Sequence, residues 1–138
     1  AAELAYRDAC WTHERNGIYG EMMFAAMQSA AFVEHDPRRL VEIGLSEIPA
    51  SCRLSQLVAR LLGWVEASAD FEACIGRVEA ELSGLYPVHT LDNALICILS
   101  LFYGGMDADG SITTAVMCGH DTDCNGATVG SIVGAARG

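Results

Sequence analysis

Apolar residues recur at three- and four-residue spacing along almost the whole chain, while alternating β-branched runs bounded by turns are scarce. The pattern predicts a nearly all-helical protein. A first helix is expected from the start to about Arg15, broken at Asn16 and Gly17, residue types that tolerate the left-handed conformation that ends helices. A second runs from about Ile18 to Glu34, with Met22, Met23, Ala26, Met27, Ala30 and Ala31 as core filling. Asp36 followed by Pro37 is a helix start, and that helix carries Leu40, Val41 and Ile43 toward Leu45. Ser51 is the expected cap of the next, whose Leu54, Leu57, Val58, Leu61, Leu62 and Val65 form an inward stripe. Asp70 opens another, with Phe71, Cys74, Ile75, Val78 and Leu82 inward and Gly84 as its stop. Thr90 to Tyr103 is apolar nearly all round, which marks a central helix buried on most sides and ended by Gly104 and Gly105. Ser111 is the expected cap of a short helix through Met117 that Gly119 terminates, and the last helix starts near Asp123.

Bulk properties narrow the functional classes. At 138 residues and 51% hydrophobic content the chain is long enough for a core and short enough for one domain. Eight basic against eighteen acidic residues leave a formal charge of −10, with no Lys or Arg cluster to follow a phosphate backbone, so nucleic acid is not an expected partner. Apolar runs are interrupted well before they span a bilayer, and a soluble protein is expected. Cys10, Cys52, Cys74, Cys97, Cys118 and Cys124 are widely spaced without CxxC pairs. They read as reduced thiols in a cytoplasmic protein, rather than as disulfides or a structural zinc site. AAELAYRDACWTHER enters mid-helix without an initiator Met or an N-cap, and the expectation is a chain whose upstream part is missing.

Candidate chemistry concentrates in GHDTDCNGATVGSIVGAARG. Residues two apart in a helix point about 200° away from each other, so Asp121 and Asp123 converge on one ion only if Asp121 lies in the entering loop and Asp123 in the first turn. The positive end of the helix dipole gives the same pair a simple capping explanation. Gly126, Gly130 and Gly134 follow four apart, beside Ala127, Ser131 and Ala135. Each glycine within a helix costs about 1 kcal/mol relative to Ala, so close helix packing is the expected reason for the row. A helix so packed carries the two carboxylates inward, where a cation would neutralise them. Oxygen ligands select Mg²⁺, Mn²⁺ or Ca²⁺, with Thr122 or Thr128 as further donors. Two carboxylates are too few for an octahedral ion, and Asp92, Asp107 and Asp109 are the other candidates within the chain. MDADGSITTAV is not an EF-hand loop, because with Gly110 at the sixth position the twelfth is Val116 rather than Glu.

The segment GHDTDCNGATVGSIVGA resembles the C-terminal metal motif of the ADP-ribosylglycohydrolase family, a GGDTDTN-like string followed by a small-residue helix. THERNGIYGEMMFAAMQSAAF is similar to that family's Ser/Thr-His segment leading into a Gly- and Ala-rich helix. The resemblance implies an all-α orthogonal multi-helix bundle, of which residues 1–138 form the C-terminal part of a single domain. It also implies hydrolysis of the bond between ADP-ribose and a protein side chain or other acceptor, with two Mg²⁺ or Mn²⁺ ions in the complete enzyme. By resemblance Asp121 and Asp123 are metal ligands, and His13 contacts ADP-ribose. The expected partners are thus ADP-ribosylated proteins or ADP-ribose-containing small molecules.

Two positions depart from the family pattern. Cys124 stands where Thr is a common third ligand, and it is expected to pack inward. His120 stands where Gly is usual, as a second substrate contact or a residue at the cleft entrance, without a catalytic role. The family's N-terminal aspartates and its acidic residue near the reacting bond have no counterpart in the chain. The alternative is therefore a catalytically silent relative, an ADP-ribose binder or a structural, crystallin-like protein.

Overall fold

The computed structural model describes residues 1–68 and 70–138 and is all-helical over them, as the periodicity implies. In chain order the helices are α1 (Ala2–Ala9), α2 (Asn16–Ala30), α3 (Pro37–Ser46), α4 (Arg53–Ala67), α5 (Phe71–Glu81), α6 (Thr90–Tyr103), α7 (Ala108–Met117) and α8 (Thr122–Arg137). Among the described residues no helix is long and apolar enough to cross a membrane.

Helix α6 is the axis of the fold, packing against α2, α3, α4, α5, α7 and α8. Leu91, Leu95, Ile96, Ile98, Leu99 and Leu101 are fully buried, each contributing roughly 1.5–3 kcal/mol relative to exposure. Met23 and Met27 of α2, Leu40 and Val41 of α3, and the Leu54 to Leu62 stripe of α4 close the core around it. Tyr103, at the end of α6, donates its hydroxyl to the Ser68 carbonyl at 2.8 Å and stacks edge-on against Phe71, joining the end of α4 and the start of α5 to the axis.

Asp36 and Asp70 cap their helices as expected, accepting from the backbone N–H of Arg38 and Glu72. Other boundaries differ, each for a local reason. The first helix stops at Ala9, and Gly17 lies inside α2: a Cβ there would sit 3.0 Å from the Cβ and Cδ2 of His13, so this glycine makes room for the histidine. Helix α2 ends at Ala30, four residues short of Glu34, whose carboxylate instead accepts from the N–H groups of His35 and Asp36. Cys52, not Ser51, precedes α4, its sulfur accepting from Ser55 N–H at 3.4 Å. Asp107 replaces Ser111 as the cap of α7, accepting from Gly110 N–H at 3.0 Å. Ser111 is buried because α7 lies directly on Gly104, where a Cβ would meet the Ser111 Cα at 2.3 Å.

The glycine row of α8 has only part of the expected reason. Gly126 and Gly130 face Val116 and Ile112 of α7, which a Cβ would approach at 3.4 and 3.3 Å. Nothing lies within 4 Å of a Cβ at Gly134. Gly134→Ala is therefore expected to raise stability by up to about 1 kcal/mol, whereas Gly104→Ala collides with backbone and lowers it. Urea denaturation of both variants checks the contrast, and equal effects would contradict the packing described.

Candidate functional site

The aspartate motif enters α8 as its spacing requires. Gly119 takes φ +75° and ends the approach from α7, and Asp121, the residue before α8, adopts the left-handed conformation with φ 30° and ψ 51°. Asp is one of the few non-glycine residues that visits this region readily. Asp121 makes no side-chain cap hydrogen bond to its own helix, although it and Asp123 both sit at the positive end of that helix's dipole. Its carboxylate turns to α6 instead, where Asn93 Nδ2–H donates to Oδ2.

Asp121, Asp123 and Cys124 each offer a ligand atom, and these atoms lie within 4.8 Å of one another. The motif is less buried than its glycine row implies: Asp121 is half-buried, and Asp123 and Cys124 are exposed. The small face of α8 is used against α7, which leaves the first turn at the surface. Cys124 accordingly does not pack inward. Interaction with Asp121, first by hydrogen bond and then by charge, holds its thiol above the ordinary range. Two carboxylates suit a hard divalent cation, while a neutral thiol suits it poorly.

None of the other candidate aspartates joins this group. Asp107 is engaged as a helix cap, Asp109 is exposed in the first turn of α7, and Asp92 is buried at 4% exposure against His120. His120 Nδ1–H donates to Asp92 Oδ2 at 2.5 Å, and the ring lines a recess beside Glu79, Leu82 and Pro87.

His13 lies elsewhere. It lines a groove of about 330 Å³ together with Gly20, Glu21, Asn93, Cys124 and Thr128. The groove forms where α2 crosses the start of α6, and Gly20 permits the crossing, since a Cβ there would come within 2.6 Å of the Thr90 methyl. His13 Nδ1 is bonded to the Thr12 hydroxyl at 2.7 Å, leaving the other ring nitrogen for a ligand. The structure thus brings His13 and the start of α8 to one groove and places His120 on a different recess.

Residues that sequence reasoning passed over complete the surroundings. Asn125 is buried, donates Nδ2–H to the His120 carbonyl at 3.2 Å and accepts from the Cys97 thiol at 3.5 Å. Burial, followed by the charge of Asp121, pushes that thiol far above its usual range. Burial pushes Cys118 up to about 11, with Asp92 adding to it. The adjacent polar residues Asp92 and Asn93 at the head of an otherwise apolar helix were the available signal, because polar groups placed there need partners. Glu21 carried no such signal.

The fold and site together define an all-α protein with a carboxylate pair opening a helix beside a groove of about 330 Å³. The chain belongs to the ADP-ribosylglycohydrolase family, whose family model matches residues 1–138. No curated protein and no solved structure matched the chain in the corresponding comparisons.

Loss of hydration raises the Glu21 carboxyl above its ordinary value of 4.5, and the neighbouring Asp8 carboxylate adds to the rise against an opposing pull from His13. The folded chain therefore holds this proton more tightly than the unfolded chain, and stability falls as pH rises from the ordinary carboxyl range through the raised value. Glu21→Gln is expected to stabilise the protein at neutral pH and to have little effect well below pH 4.5. Urea denaturation across pH checks this, and a gain that persists unchanged into acid would contradict it.

Proposed function

We propose that this chain carries the cation-binding half of a hydrolase that cleaves the glycosidic bond between ADP-ribose and a protein side chain or other acceptor. The observation that carries the reading is the meeting of His13 and Cys124 of α8 in one groove, with the Cys124 sulfur within 4.8 Å of carboxylate oxygens of Asp121 and Asp123.

In this reading Asp121 and Asp123 hold Mg²⁺ or Mn²⁺, and the remaining ligands come from water and from residues outside this set. When bound, such an ion supplies positive charge that polarises ribose hydroxyls and lowers the pKa of water. His13, fixed through Thr12, hydrogen-bonds the ADP-ribose at the far side of the groove. Glu21 holds a proton more readily than an ordinary carboxyl and is the carboxyl among the residues lining that groove with His13. His120, engaged by Asp92, lines a separate recess rather than the groove that His13 lines.

Cys124, a soft atom at the third donor position, favours one competing reading, an ADP-ribose binder that does not turn substrate over. The two readings separate in the full-length protein supplied with Mn²⁺. The hydrolase releases free ADP-ribose from ADP-ribosylated protein, and Asp123→Ala abolishes release while the melting temperature without metal stays within a few degrees. Turnover unchanged in Asp123→Ala would remove the metal assignment, and binding without release would favour the silent relative. Alkylation of Cys124 is also expected to slow on Mn²⁺ addition while that of exposed Cys10 does not, and mass spectrometry of the two peptides reads the difference.

A further inference from the structure

The Asn93 amide is oriented by Asp121 at the expense of its own hydrogen bonding. Nδ2–H donates to Asp121 Oδ2, while Oδ1 is buried without a protein partner. Turning the amide over would point Oδ1 at a carboxylate, so the orphaned acceptor follows directly from serving Asp121. The neighbouring residue acts on the same loop from the other side. Asp92 Oδ2 accepts from His120 Nδ1–H, and one turn further along, Cys97 donates to Asn125, which in turn holds the His120 carbonyl. Consecutive loop residues 120 and 121 are thereby fastened to consecutive residues 92 and 93 of the most buried helix.

An amide suits the position for electrostatic reasons. Lys or Arg there would neutralise Asp121 and compete with a cation, and Asp or Glu would repel it. Asn donates without net charge, leaving the carboxylate its full charge and its second oxygen.

Resting on the cation reading above, we propose that Asn93 is a positioning residue: it sets the orientation of the Asp121 carboxylate for a divalent ion and makes no contact with the ion itself. Groups that hold a metal ligand in this way typically account for about a 10–100-fold change in metal affinity. Asn93→Leu keeps the volume and removes both the donor and the orphaned acceptor. It therefore separates positioning from structural support, because positioning predicts weaker ion binding in a protein whose metal-free stability is kept or raised.

The test uses full-length protein titrated with Mn²⁺, read by calorimetry and by protection of Cys124 from alkylation, alongside melting temperatures in EDTA. The expected result for Asn93→Leu is a Mn²⁺ half-saturation about 10–100-fold higher, a smaller rise in melting temperature on Mn²⁺ addition, and no loss of stability in EDTA. Mn²⁺ affinity within about twofold of the unsubstituted protein would overturn the proposal, as would a weakening matched by an equal loss of metal-free stability. Asn93→Ala, which adds no bulk, answers the same question if the leucine variant fails to fold. Absence of Mn²⁺ binding in the unsubstituted protein would overturn the cation reading itself and the positioning role with it. Normal binding there and in both variants would overturn the positioning role alone.

Discussion

The structure depends on α6 being buried along nearly its whole length. Its six fully buried Leu and Ile residues fix it against six of the other helices, so nothing attached to it moves without disturbing the core. The polar head of that helix, Asp92 and Asn93, inherits the rigidity. A carboxylate tied to it is held far more firmly than one on a free loop, and the left-handed residue Asp121 is tied in this way. In the proposed reading, pre-set geometry of this kind would let a surface-proximal pair of acids bind an ion without ordering a loop at the moment of binding.

The elements were legible where a single physical signal dominated. Asp36–Pro37 and Asp70 mark helix starts in any context, and a 14-residue stretch that is mostly apolar on every side admits little besides a buried helix. Misreadings came where tertiary contacts reassigned a residue. Gly17 looks like a helix stop in sequence yet makes room for His13 within α2. Ser111 looks like a cap yet is buried under Gly104, with Asp107 free to cap in its place. Ser51 lost its role to a cysteine one residue later, a substitution that capping preferences do not anticipate.

The placement of the carboxylate pair was legible in the sequence, and its supports were not. Spacing alone placed Asp121 in the loop and Asp123 in the first turn, as the structure has them. The glycine row misled about depth, because small residues on one face of α8 say that this face meets another helix and nothing about the face that bears the acids. Asn93, Glu21 and Asn125 depend on contacts 28 or more residues apart or on a neighbouring helix, and no local pattern encodes them. His120 adjoins Asp121 in sequence yet lines a separate recess, held by Asp92. For this chain, adjacency in sequence to Asp121 does not place a residue on the groove that His13 lines.

The central claim is that a divalent ion sits between Asp121 and Asp123 beside an ADP-ribose groove reaching His13. Anomalous scattering from crystals of the full-length protein grown with Mn²⁺ and ADP-ribose tests it most directly. An anomalous peak within bonding distance of both carboxylates, with the nucleotide in the groove against His13, is the predicted result. A Mn²⁺ peak elsewhere, or none at these carboxylates with the nucleotide bound, would contradict it.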